Sequence, residues 1–157
     1  MYYFQDLPFT QRKKEKEIVA RLAEELLGKK IKFRFVKNWD ERSLGGTRFE
    51  ESEGEFWKSP VKDILIAERN FRKSKKYPHP QATFIASVTH ELAHVSEEVR
   101  FHPEFNSCSA EYQDGCVICG EPHEDEGHDR IWHDKYLQFQ KQAQEKKFIQ
   151  DYLKGKK

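Results

Sequence analysis

Residues 80–99 read PQATFIASVTHELAHVSEEV. Set at about 100° per residue, Phe84, Val88, Leu92, Val95 and Val99 fall in one apolar stripe, while His90 and His94 fall together on another side. The spacing predicts a helix from about Gln81 to Val99. Pro80 stands at its start, where a missing N–H breaks no hydrogen bond. Such a helix turns one face to a core and keeps a separate face for two imidazoles.

Working outward, Ile18, Val19, Leu22, Leu26 and Leu27 recur at helical spacing up to Gly28, with Thr10 as an N-cap, and predict a helix over 10–27. Ile31, Phe33 and Phe35 alternate with Lys32 and Arg34, the period of a strand with one buried face. Gly45 and Gly46 read as a turn before a strand at Thr47 to Glu50, and Val61 to Ala67 (VKDILIA) as a short apolar strand after Pro60. Trp132, Tyr136, Phe139, Phe148, Ile149 and Tyr152 predict a final helix. Trp39 and Trp57 are read as core or sheet-face residues, and His79, between two prolines, as structural. The expectation is an α+β fold: an N-terminal helix, a short and mainly antiparallel sheet, the His-bearing helix and a C-terminal helix. One domain over 1–157 is expected, with a Cys-containing loop insertion at about 100–127.

The chain has 28 Lys and Arg against 27 Asp and Glu, and 12 Phe, which excludes the highly charged, aromatic-poor composition of disordered chains. The near-balance hides segregation. From His90 to Asp129 eleven acidic residues face one basic residue, Arg100, and the same stretch holds five of the seven His and all three Cys. An acidic segment rich in His and Cys suits a cation. The opposite pole includes Arg69, Arg72, Lys73, Lys75 and Lys76 in one loop, a surface for an anionic partner such as DNA. No run approaches the roughly 20 apolar residues of a membrane-spanning helix. Met1 to Thr10 does not read as a secretory leader, and three clustered Cys suit a reducing compartment, so a cytoplasmic protein without a membrane partner is expected.

His90-Glu91-Leu92-Ala93-His94 is an HExxH pentapeptide on the predicted helix. Imidazoles four residues apart sit one turn apart, so both can reach one ion at the ~2.0–2.1 Å that zinc requires. Glu91 points about 100° away from His90, near enough to take a proton from water at the ion. Composition gives roughly a 3% chance of one such motif. A catalytic zinc needs a third protein ligand and an open position. Position 100, where a third histidine of the HExxHxxGxxH type would fall, is arginine; His102 is two residues late, and Glu97 and Glu98 share the helix. Glu111 and Asp114 remain alternatives. His128, at the start of the last helix and near Trp132, is the preferred third ligand.

HELAH at 90–94 followed by His-Asp-x-x-aromatic at His128 to Trp132 resembles the SprT-like and WLM group of small zinc metallopeptidases, phage metallopeptidases included. The likeness spans about residues 60–140. It implies a zincin-like fold, zinc on His90, His94 and His128, and Glu91 as catalytic base. Relatives of the SprT-like kind are associated with DNA and with proteins attached to it. The function expected is hydrolysis of peptide bonds in a protein or peptide substrate, with Val61 to Ala67 as the edge that pairs with it. The rival expectation is a non-catalytic zinc-bound scaffold or nucleic-acid-associated module. Cys116-x-x-Cys119-Gly, with Cys108 and either His123 or His102, matches a second, structural zinc. His133 and Tyr136 are candidates to hydrogen-bond a developing oxyanion or to support the ligands.

Overall fold

The computed structural model describes residues 4–8, 10–51, 54, 56–103, 105 and 130–155. The first helix, α1 (Lys13–Leu27), buries Ile18, Val19, Leu22 and Ala23 and ends at Gly28, whose positive φ of 73° lets its N–H return to the Glu24 carbonyl. It begins three residues later than Thr10 predicted. Arg12 takes a left-handed backbone (φ 61°) there, and its guanidinium lies 4.6 Å over the Phe71 ring. No side chain caps this start.

Three strands follow: β1 (Phe33–Val36), β2 (Gly45–Phe49) and β3 (Val61–Ala67). Their order is β1-β3-β2, with β1 parallel and β2 antiparallel to β3. The sheet is therefore mixed, correcting the mainly antiparallel expectation: the chain returns from β2 into the space between its predecessors, so β3 meets one partner of each direction. β3 is buried from Asp63 to Ala67 without alternation, as a strand covered on both faces must be. It has no edge for a substrate, contrary to the expectation for Val61 to Ala67. The outer side of β1 is closed by residues 5–7, where the Leu7 N–H donates to the Phe35 carbonyl and the Lys37 N–H to that of Gln5. That leaves β2 as the edge with no strand partner among the described residues.

The glycines placed in a turn are strand residues. A Cβ at Gly45 would stand 2.8 Å from the Leu65 carbonyl oxygen and 3.4 Å from Glu91 Cγ, so only glycine lets β2 lie this close.

Helix α2 (Pro80–Val95) buries Phe84, Ile85, Val88, Leu92 and Val95. It stops at Ser96, whose ψ of 127° leaves the helical region, and a single turn, α3 (Glu97–Arg100), continues in a new direction. The break replaces the uninterrupted helix to Val99. It turns Arg100 inward, where its guanidinium donates to the carbonyls of Trp57 (2.7 Å) and Ser59. The C-terminal part likewise divides into α4 (Arg130–Gln144) and α5 (Lys147–Leu153), because Lys146 is extended (ψ 131°) and its ammonium reaches Glu25 at 3.2 Å.

Phe84 is wholly buried, with ring centroids of Phe35, Phe71 and Tyr152 5.3–5.9 Å away, and it joins α1, α2, α5 and the sheet in one hydrophobic cluster. Phe84→Ala is expected to cost about 3–5 kcal/mol in chemical denaturation, as deleting a buried aromatic ring does. Trp39 (5.3 Å from Phe4) and Trp57 (6.0 Å from Phe105) make edge-to-face aromatic pairs at the margins of the fold. Among the described residues no helix is long and apolar enough to cross a membrane.

Candidate metal centre and active site

Four residues of helix bring His90 and His94 to the same side of α2, and their Nε2 atoms stand 3.3 Å apart. Two nitrogens each ~2.0–2.1 Å from one tetrahedral ion lie ~3.3–3.4 Å apart, so the pair has the separation of a chelate. With Glu91 they form a group whose ligand atoms all lie within 4.8 Å of one another. Two imidazoles and a carboxylate are a donor set suited to zinc and to neighbouring divalent ions.

The rings are held from one side by α4. Trp132 stacks on His94 (centroids 5.1 Å, 21° between planes), packs edge-on against His90 at 4.6 Å and donates its indole N–H to the His90 carbonyl at 3.3 Å. Tyr136 stacks on Trp132 in turn, 5.1 Å away. Trp132 thus acts on the helix-borne pair itself.

Glu91 faces β2. Its side chain is buried, and Thr47 Oγ1 donates to its carboxylate at 2.8 Å. Burial pushes the carboxyl up to about 8 in the metal-free chain, because the charged form loses water; the Thr47 hydrogen bond works against this rise. His90 Nε2 is 3.6 Å from the same carboxylate. Glu91 is thus a carboxyl close to neutral pH in its affinity for a proton, held by the glycine-permitted approach of β2.

A cavity of about 410 Å³ opens beside the group and is lined by Gly45, His90, Glu91 and Tyr136, continuing to Arg42 and Tyr77. Tyr136 packs 5.6 Å from His90 and accepts a hydrogen bond from Gln140 Nε2 at 2.9 Å. Burial raises its phenol, with the Gln140 hydrogen bond opposing, so it keeps its proton at neutral pH. Among the described residues, His133 lies outside the His90–Glu91–His94 group, its ring 6.2 Å from Trp132. His79 and His102 are outside it too. Glu97 and Glu98 instead pair with Lys29 (3.5 Å) and Lys135 (2.6 Å).

His128, Glu111 and Asp114, together with Cys108, Cys116, Cys119 and His123, lie outside the described residues. The sequence reading missed Thr47, 44 positions from its partner, and the approach of Gly45. Neither carries a local signal, since both depend on β2 being laid against α2. No protein-family model matches the chain, and no curated protein and no solved structure is similar to it.

Proposed function

We propose that this chain is a zinc-dependent metallopeptidase. The observation that carries the reading is the 3.3 Å separation of the two Nε2 atoms beside a buried carboxylate on a cleft. His90 and His94 would hold the ion, with His128 as third ligand on the strength of the resemblance to SprT-like and WLM peptidases. When bound, such an ion supplies Lewis acidity, polarising a carbonyl and making water acidic enough to attack near neutral pH.

The chain's own residues do the rest. An extended peptide aligns along β2, the strand edge beside Glu91, by backbone pairing that asks for no particular side chain. Glu91 takes a proton from the attacking water as its oxygen joins the scissile carbonyl carbon. The same carboxyl returns that proton to the leaving nitrogen as the C–N bond breaks. Thr47 keeps the carboxylate aimed into the cleft. The Tyr136 hydroxyl donates to the carbonyl oxygen as charge collects there.

The test uses the full chain and an unstructured protein such as casein. Cleavage is expected, with loss on chelation, recovery on adding Zn2+, and at least one zinc per chain by elemental analysis. Two per chain would indicate that the Cys loop also binds; a metal-free, inactive chain after incubation with Zn2+ would refute the reading. Tyr136→Phe is expected to lower kcat by roughly 10²-fold with KM little changed, read from steady-state kinetics, since its contact forms mainly in the transition state.

A further inference from the structure

The loop at 40–43 is folded around Asp40, whose carboxylate accepts from the Arg42 N–H (2.9 Å), the Ser43 N–H (2.6 Å) and the Ser43 hydroxyl (2.6 Å). These bonds, the Ser43 hydroxyl first, hold Asp40 down at about 2, and Arg69 closes the loop by bonding the Ser43 carbonyl at 2.9 Å. Arg42 is thereby set on the rim between two hollows. One is the cleft with His90 and Glu91; the other, of about 350 Å³, is lined by Arg42, Arg69, Arg72, Lys73, Lys76 and Tyr77, with Glu41 as the one acidic lining residue among the described residues. Arg42 and Tyr77 belong to both.

The basic loop singled out in the sequence is thus one wall of a hollow that adjoins the cleft, with Arg42 and Tyr77 lining both. Its charges are unequal in their commitments. Arg69 is 3.5 Å from Asp40 and Arg72 is 3.7 Å from Glu68, whereas Lys73 and Lys76 are exposed and Lys76 rests 5.4 Å over the Tyr77 ring. An occupant that passes Arg42 and Tyr77 from the cleft meets an excess of positive charge.

We propose that this hollow is a specificity pocket for acidic side chains, Asp or Glu, on a peptide lying in the cleft beside His90 and Glu91. The inference rests on the peptidase reading only in taking an extended peptide as the occupant. A nucleic acid is the less favoured partner, because strong binding to a phosphate backbone needs several cations spaced along its length. Here the cations converge on one concavity, with Asp40, Glu41 and Glu68 at its margins.

The experiment measures binding first and cleavage second, with the full chain loaded with zinc. A fluorescein-labelled unstructured peptide carrying Asp and Glu is compared by anisotropy with its Asn/Gln isostere and with a single-stranded DNA oligonucleotide. The acidic peptide is expected to bind about 10-fold more tightly than the isostere at low salt, the sum of a few partly exposed charge contacts. The double substitution Lys73→Glu with Lys76→Glu, on exposed positions and checked for an unchanged melting temperature, is expected to erase that preference. Equal binding of both peptides, survival of the preference in the variant, or tighter binding of the oligonucleotide than of the acidic peptide would each overturn the proposal. In the cleavage arm a single Asp is moved through the positions around the scissile bond, and one position should raise kcat/KM about 10-fold. Preferential binding without any cleavage would uphold the pocket and remove the peptidase reading, which separates the two.

Discussion

Glu91→Gln is expected to abolish hydrolysis, by about 10²–10⁴-fold in kcat, while zinc content stays at the wild-type value. The same substitution should make the metal-free protein more stable at alkaline pH. The buried carboxyl is raised from 4.5 to about 8 in the folded chain, so the folded state binds its proton more tightly than the unfolded state does. Its contribution is therefore most favourable below pH 4.5, declines as pH rises from 4.5 to 8, and above 8 is lower by roughly 3–5 kcal/mol. An amide in its place does not ionise. Metal-free Glu91→Gln should consequently melt well above the metal-free wild type at pH 8, and the two should converge toward pH 4.5. A cation at His90 and His94 favours the charged carboxylate, so zinc should narrow the gap. Equal melting temperatures at pH 8 for the two metal-free proteins would show that Glu91 is not desolvated as described.

His94→Ala removes one of two imidazole nitrogens 3.3 Å apart. Zinc affinity, measured by competition with a chromophoric chelator, should fall more than about 100-fold, since losing even an outer hydrogen-bond partner of a ligand costs 10–100-fold. Hydrolysis should fall with it. His133→Ala serves as the contrast: although that ring is 6.2 Å from Trp132, it stands outside the His90–Glu91–His94 group, and zinc binding should be nearly unchanged. If both variants bound zinc as the wild type does, His90 and His94 would not be ligands.

Much of α2 was legible because two periodic signals coincide there: Pro80 marks the start, and the stripe from Phe84 to Val95 has the period of a helix with one buried face. The paired imidazoles follow from that helix by geometry. The stop at Ser96 was not legible, since no glycine or proline precedes it and the cause is tertiary: Arg100 must reach the carbonyls of Trp57 and Ser59. The division between α4 and α5 has the same character, with Lys146 drawn to Glu25 on another helix. For β3 the signal was present in another form. Ile64 to Ala67 is an unbroken apolar run, the mark of a strand sandwiched on both faces, and only the sheet order excludes it as an edge. The opposite failure befell Gly45 and Gly46: the pair favours a turn by composition, yet both lie in β2, and at Gly45 the small size is used for close approach.

The register slip between Arg48 and Phe49 has a consequence for reach. From Gly45 to Arg48 the strand offers a straight rail of four residues, about 13 Å at ~3.3 Å each. Past that point the bulge turns the backbone, and Glu50 is engaged by the Pro60 carbonyl. So brief a rail gives a second copy of the chain little to zip onto, which guards an open sheet margin against fibril-like stacking. It also means that main-chain pairing alone would grip a guest weakly, leaving discrimination to side chains that enter the cleft lined by Gly45.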